Sequence, residues 1–564
     1  MKKLGKTKRI TGIFLLVAVV LIGFSQKDDF KIAKSLDIYH SLFRELNIFY
    51  VDETNPEDLV ETSIESMLES LDPYTKYIPE KDMDDFEFMT TGNYGGIGAL
   101  IRQDGDYAVI SQPYKAFPAD KAGLKTGDVI KKINGQSIEG WELEKVSNEL
   151  KGIPDTKVKI TIDRLGHEEP LTKEVVRDDL HINSVAYHGM ADEEHGIGYI
   201  RLSKFTRNAG REVRNAFKEL EENNELNAMV LDLRNNPGGL LNEAVNVANI
   251  FIPKGEEIVS TKGRIKKWNE NYTTENQPLD TNIRLTVLVN RASASASEIV
   301  AGAVQDLDRG VVIGQRTFGK GLVQTTRPLN YNSKLKVTTA KYYVPSGRSI
   351  QAKDYSNRNE DGSVGEIPDS LVKEFTTRNG RKVYDGGGIR PDIHIQPQEP
   401  SKIAISLLMQ NLIFDYATHF TVDHDTIPAA GQYEISDATY SDFKEFILNR
   451  SWEYTTQSQE KLKELTKTSR REKYYDQISS ELKEVREKLA PDKEEDLMRF
   501  ESSIKQLLKE EIAGRYYYQQ GKIRANLEDD GQYDKSVQVS RDQKLYQSIL
   551  TGEYERDNIE LVHK

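Results

Sequence analysis

Two units of the same kind, an apolar strand followed by a short turn and an apolar helix, occupy residues 228 to 252 and 284 to 306, and they constrain the fold more than any other feature. In the first, Ala228-Met229-Val230-Leu231-Asp232-Leu233 is a nearly continuous apolar run, the pattern of a strand covered on both faces. It leads through Arg234-Asn235-Asn236-Pro237-Gly238-Gly239 into a helix predicted from about Leu240 to Ile252. In the second, the strand Leu285 to Val289 gives way to the apolar helical run Ile299 to Val304 through a stretch where small residues alternate with Ser293, Ser295 and Ser297. Gly196 to Leu202 reads as a further strand and Ala209 to Leu220 as a further helix. Strands returned in parallel by helical crossovers make a sheet with helices on both sides, so this part of the chain is α/β.

A serine between Val289 and Ile299 sits at a strand end and helix start, where nucleophiles and oxyanions are placed. Its hydroxyl is a poor nucleophile until a base takes its proton. The chain has no cysteine and no histidine between His195 and His394, so the obvious base is a lysine. Lys320 is flanked by glycines in a segment, Phe318 to Gln324, that otherwise reads as strand. Such flanks let an amine enter a dry, crowded site and lose its charge. On a strand, Lys320 and Gln324 share a face because their separation is even. Local sequence does not choose among Ser293, Ser295 and Ser297, and Glu298 and Asp306 read as capping or ion-pairing residues. The bland alternative is a small-residue helix start capped by a serine.

From about Phe86 the pattern changes to short strands and glycine turns. Tyr94-Gly95-Gly96-Ile97-Gly98 is similar to the carboxylate-binding loop of a PDZ domain, and Pro118 through Ile130 to the turn and strand that follow it. Glycines let successive backbone amides approach a terminal carboxylate, while an adjacent sheet edge accepts an extended peptide by strand addition. The alternative is a structural spacer. Thr317-Phe318, Tyr342 to Gln351 and Gly387 to Ile393 belong to the same recurring set of motifs, the last reading as a closing turn and strand. Ala352 to Asp385, charged and dotted with glycine, reads as a surface insertion with little regular packing.

Taken together, Leu71 to Pro400 resembles the carboxyl-terminal processing proteases, tail-specific serine peptidases with an inserted PDZ domain. The resemblance implies a crotonase-like core. It makes Ser295 the nucleophile, because the family serine precedes the lysine by 25 positions and 320 − 295 = 25. It makes Lys320 the general base and Gln324, four positions on, the residue that orients or solvates the lysine amine. An amide of Gly238 or Gly239, beside that of Ala296, would form the oxyanion hole, and Gly96, Ile97 and Gly98 would hold the substrate carboxylate. Leu71-Asp72-Pro73-Tyr74-Thr75 resembles the segment leading into the PDZ insertion, with a structural role. The implied activity is an endopeptidase that reads the free carboxyl end of a protein and cleaves nearby, with no metal or organic cofactor. The rivals are a non-catalytic PDZ scaffold that binds tails, and acyl transfer on a small substrate.

At 564 residues the chain is too long for one ordinary core. A net charge of −13 argues against nucleic acid as the main partner, and the absence of cysteine excludes disulfides and thiolate metal sites. Lys2, Lys3, Lys6, Lys8 and Arg9 precede an apolar run from Ile10 to Phe24, which has the charge and length of a secretory signal. Residues 1–25 are therefore expected to be a signal peptide or an inner-membrane anchor, placing the protein in the bacterial periplasm or cell envelope. A helical region is expected over 26–85, with stripes Ile38, Leu42, Leu46, Ile48 and Leu59, Ile64, Met67, Leu71; the PDZ domain over 86–178; the peptidase core over 179–398; and a helical carboxyl-terminal region over 399–564. In that last region Tyr475, Ile478, Leu482, Val485 and Leu489, then Leu497, Phe500, Ile504 and Leu508 after Pro491, predict two helices folded on their own domain or forming a homodimer contact. The cluster Tyr516-Tyr517-Tyr518 reads as core or contact surface.

Overall fold

The computed structural model describes residues 29–359, 361–396, 400–490 and 492–554. The apolar run 10–24 and Pro491 lie outside them, and no helix among the described residues is long and apolar enough to cross a membrane. The chain opens with a helix over 29–49 and a second, Pro56–Glu69, capped by the Asn55 side chain on the Glu57 amide. The strand Lys76–Ile78 then joins a sheet formed by Lys334–Tyr343, Glu257–Gly263, Glu270–Thr273 and Leu322–Pro328.

A two-stranded ribbon, Asn93–Gly96 against Asp178–His181, closes the base of the PDZ unit. Between its strands lies an antiparallel sheet in the order Ala99–Asp104, Tyr107–Pro113, Val129–Ile133, Lys157–Asp163, Leu171–Val176. Ile110, Ile130, Val146, Ile160 and Val175 fill its core. Ala99–Asp104 is an edge strand, the helix Leu143–Leu150 lies beside it, and Arg102 on that strand packs over Phe414 of the carboxyl-terminal region.

The core sheet runs Val185–Asp192, Ile197–Leu202, Ala228–Asp232, Arg284–Val289, Val311–Gly314, Ile393–His394, antiparallel at the first pairing and parallel at the rest. Both strand–turn–helix units are present, as is the closing strand at Ile393. Helices Ala209–Asn223, Leu241–Ala248 and Ala296–Asp306 bury one face. The opposite face is buried by the far end of the chain: Tyr533, Val537, Tyr546, Ile549 and Leu550, on helices Gly531–Arg541 and Gln543–Thr551, cover Ile197, Tyr199, Val230 and Leu288. Full burial of a large apolar side chain stabilises by roughly 1.5–3 kcal/mol, so this last stretch holds the sheet in place.

Two expectations need correction. Residues 352–385 are more regular than their composition suggests: they form the hairpins Lys353–Arg358 with Val364–Glu366 and Glu374–Thr376 with Lys382–Tyr384, and the buried Arg381 ties them to Asp308 and Asp392. Lys320 is not on a strand. It lies in the loop before Leu322–Pro328, so strand parity does not relate its side chain to that of Gln324.

In the carboxyl-terminal region, helices Tyr475–Lys488, Lys493–Arg499 and Glu501–Leu527 follow the predicted stripes unevenly. Leu497, Ile504 and Leu508 enter a core with Tyr416 and Phe443, whereas Val485 is exposed. The tyrosine cluster is a set of contacts. Tyr516 and Tyr517 donate to the carbonyls of His424 and Ile427, and Tyr518, at a break in its helix, donates to Asp120 of the PDZ unit (2.6 Å).

Candidate active site

The three serines of the 293–297 run have different environments. Ser293 is buried and its hydroxyl donates to Leu233 O (2.8 Å) while accepting from the Asn290 amide (2.9 Å). Ser297 is buried and donates to Asn236 O (2.9 Å). Both bond to the loop 233–236, so they fasten the two turns together. Ser295 is half-buried and caps its helix in a capping box with Glu298, and no hydrogen bond from its hydroxyl to another side chain is found among the described residues. Its backbone is held at φ 56°, ψ −112°, a conformation that costs a non-glycine residue roughly 1–3 kcal/mol and recurs at functional sites.

The carboxylate of Glu298 fixes that strained position relative to Lys320. Glu298 is fully buried and accepts four hydrogen bonds: from the amides of Ser295 (2.8 Å), Gly319 (2.7 Å) and Lys320 (2.9 Å) and from the Thr317 hydroxyl (2.6 Å). One side chain therefore binds both the serine turn and the lysine loop. Burial pushes its carboxyl up to about 7, against the pull of those four donors. The Tyr342 hydroxyl makes a second tie, donating to the carbonyls of Ser295 and Lys320. Asp306, the other acid near the serine, pairs with the buried Arg348 (2.7 Å) and accepts from the Ser346 amide.

The Lys320 amine lies 4.3 Å from the centre of the Tyr74 ring. Burial, aided by the charge of Lys336, brings its pKa down from 10.5 to about 8, while Glu298 and Asp72 act in the opposite direction. The 71–75 segment thus supplies a wall of the lysine site, a role its sequence does not signal. Asp72 fixes the turn by accepting from the amides of Tyr74 and Thr75, and Tyr355 of the 352–385 insertion backs the Tyr74 ring edge-on. Gln324 points elsewhere than expected: its amide donates to Thr338 Oγ1 (3.2 Å), itself beside Thr75, and no contact with Lys320 is found among the described residues.

The turn 234–239 faces the serine from the neighbouring strand. Buried Asp232 holds Arg234, which also reaches Asp530 on the last helices. A Cβ on Gly238 (φ +96°) would stand 2.6 Å from Ala294 O and 2.8 Å from Ser295 Cβ, so only glycine allows the turn to approach the serine. The Gly238 amide is already bonded to Asn236 Oδ1 (2.9 Å). No hydrogen bond from the amides of Gly239 or Ala296 is found among the described residues.

In the PDZ loop, a Cβ on Gly98 (φ +74°) would meet Phe117 at 2.6 Å. The Ile97 carbonyl accepts from the Ala119 amide (2.7 Å), and Gly96 pairs with Asp178 at the end of the closing ribbon. The helix Pro118–Lys121 therefore backs the loop, and Tyr518 touches that helix at Asp120.

A strained serine in the turn after a parallel strand and a lysine loop tied to it through Glu298 are joined in one chain with a PDZ unit. The sequence matches Peptidase family S41 over residues 196–358, a PDZ domain over 87–163, and "Probable PDZ-protease, C-terminal helical domain" over 403–539. It is 36% identical over 370 residues to a carboxy-terminal-processing protease of Bartonella bacilliformis, covering 65% of this chain and 82% of that one. To a "Probable CtpA-like serine protease" of Staphylococcus saprophyticus it is 38% identical over 355 residues, covering 62% of this chain and 66% of the other. Among solved structures it is similar to a photosystem II D1 C-terminal processing protease, at 28% identity, TM-score 0.34, and coverage of 64% of this chain and 92% of that one. The chain belongs to the PDZ-containing carboxy-terminal-processing proteases of peptidase family S41.

Proposed function

We propose that this protein is an endopeptidase that recognises the free carboxyl-terminal tail of a protein substrate and cleaves nearby with a Ser295/Lys320 pair. The neutral Lys320 amine takes the Ser295 proton as Oγ attacks the carbonyl carbon. The amides of Ala296 and Gly239 receive the developing oxyanion, a contribution commonly worth ~3 kcal/mol of barrier per donor. Lys320 then returns the proton to the leaving amine, and an acyl-enzyme forms. Water then attacks the acyl carbon while giving a proton to the Lys320 amine, and Lys320 passes that proton to Ser295 Oγ as the ester bond breaks and the acyl group leaves as a carboxylic acid. Gln324 acts through Thr338 and Thr75 on the wall of the lysine site, not on the amine itself.

The observation that carries this reading is the joint clamp: Glu298 binds the amides of Ser295 and Lys320, with a half-buried serine hydroxyl on one side and an amine brought down to about 8 on the other. A scaffold that only binds tails would have no use for either. The PDZ groove beside Ala99–Asp104 would pair with the substrate's last residues and hold their carboxylate at Gly96 to Gly98. The basic and apolar amino terminus supports export to the cell envelope, with residues 10–24 as cleaved signal or membrane anchor. Incubating the purified protein and its Ser295→Ala variant with an unfolded polypeptide tests this: new termini should appear by mass spectrometry with the first alone. Cleavage by both would remove Ser295 from the chemistry.

A further inference from the structure

Beside the serine and lysine stands a group of cations that the chemistry above does not use. Lys76 and Lys336 are direct cross-strand partners in the pairing of Lys76–Ile78 with Lys334–Tyr343. Lys336 lies two residues before Thr338 on its strand and shares the face on which Thr338 meets Gln324 and Thr75. Lys204 comes from the core, next to Phe205, whose amide bonds Gly238 O and whose carbonyl accepts from Leu240. Lys336 and Lys204 are half-buried. Their charges meet: Lys76 and Lys204 both act on Lys336, and Lys336 acts on Lys320. Among the described residues none of the three amines has an ion-pair or hydrogen-bond partner.

Like charges directly opposed on a sheet destabilise it, and the chain has 90 acidic residues from which partners could have been drawn. An unrelieved cation cluster whose charge reaches Lys320 suits an anion that arrives with the substrate. We propose that Lys336, Lys204 and Lys76 form a subsite for a substrate carboxylate, that of an acidic side chain flanking the scissile bond. The substrate's own terminal carboxylate has the same chemistry, and the test separates the two. The inference rests on Ser295 as the reacting centre. An anion seated here opposes Lys336 and adds to Glu298 and Asp72 in raising the Lys320 pKa, so its benefit appears in binding and not in turnover.

Binding is therefore measured on full-length Ser295→Ala protein, which needs no turnover. The probes are apolar peptides with one Glu at successive positions and their Gln isosteres, each with a free and an amidated tail. With amidated tails, the best-placed Glu peptide should bind about tenfold tighter than its Gln isostere. The difference should shrink with salt and vanish when Lys204→Met and Lys336→Met are added. A preference that follows tail amidation, yet is lost in the same variant, assigns the subsite to the terminal carboxylate. Since these lysines are a cost to the fold, the added substitutions should leave Tm unchanged or raise it. Equal affinity of Glu and Gln peptides and of free and amidated tails, or an acid preference that survives both substitutions, overturns the subsite. Failure of the wild type to cleave would instead strike the peptidase reading alone.

Discussion

Ser295, Glu298 and Lys320 depend on one another, and each dependence has its own signature. Ser295→Ala should abolish cleavage while costing no more than the ~0.5–2 kcal/mol of one helix N-cap, so the protein stays folded. Ser293→Ala and Ser297→Ala should retain measurable turnover but lose about 0.5–1.5 kcal/mol in denaturant titration, since each removes a buried hydrogen bond while Leu233 O and Asn236 O keep the amides of Asn236 and Ala294 as donors. A dead, stable Ser293 or Ser297 variant beside an active Ser295 variant would reverse that assignment. Glu298→Gln keeps the shape but turns an NH2 toward groups that donate to the carboxylate. Turnover should fall by at least tenfold even at low temperature, where the variant is fully folded, and wild-type rates would show that the clamp does not position the pair. For Lys320 the sign is fixed by its lowered pKa. The folded state resists protonation, so stability from this group declines as pH falls from 10.5 to about 8 and is level below that. Lys320→Met should thus be inactive yet at least as stable as wild type at pH 7, whereas a loss of Tm would mark a charged structural lysine.

At the scale of elements, the glycine turn of the PDZ unit carries a separable function. Gly98→Val sets a β-branched residue at φ +74° against Phe117. It should cost roughly 1–3 kcal/mol and abolish the affinity difference between free and amidated tails on Ser295→Ala protein, while a small acylating probe still labels Ser295 in the Gly98→Val single variant. A tail preference that persists would remove the loop from carboxylate binding. The elements legible in the sequence were those whose burial is local in origin: the runs 228–233 and 285–289 lie flanked by helices, and their apolarity announces it. The PDZ strands were legible through their turns. The lysine loop was not, because Gly319, Lys320 and Gly321 run straight into the strand Leu322–Pro328 and nothing in residue type marks where the loop ends. Nor was Tyr74, whose partner Lys320 is remote in sequence and whose own neighbours describe only a turn. Residue type does not distinguish Gly238 from Gly239, and the bond of the Gly238 amide to Asn236 Oδ1 has no mark in the sequence.

At the scale of the whole molecule, the chain closes on itself: its last two helices form a layer of the peptidase core, and Arg234 joins the 234–239 turn to Asp530. Tyr546→Ala, distant in the fold from the serine turn, removes a buried ring and the acceptor for the Leu285 amide (3.0 Å). It should cost about 3–5 kcal/mol and lower activity in proportion to the folded fraction. Unchanged stability would show that the sheet does not need that layer. The reach of the carboxyl-terminal region onto the sheet was illegible for a physical reason: amphipathic helices advertise an apolar face and not the surface it covers. The measurement that bears most directly on the Ser295/Lys320 pair is the initial rate of peptide cleavage against pH, with Lys320→Met alongside. The wild-type rate should rise through about pH 8 to a plateau, with no turnover by the variant at any pH. A wild-type rate that does not rise with pH, or turnover by Lys320→Met, would contradict a neutral lysine acting as the base.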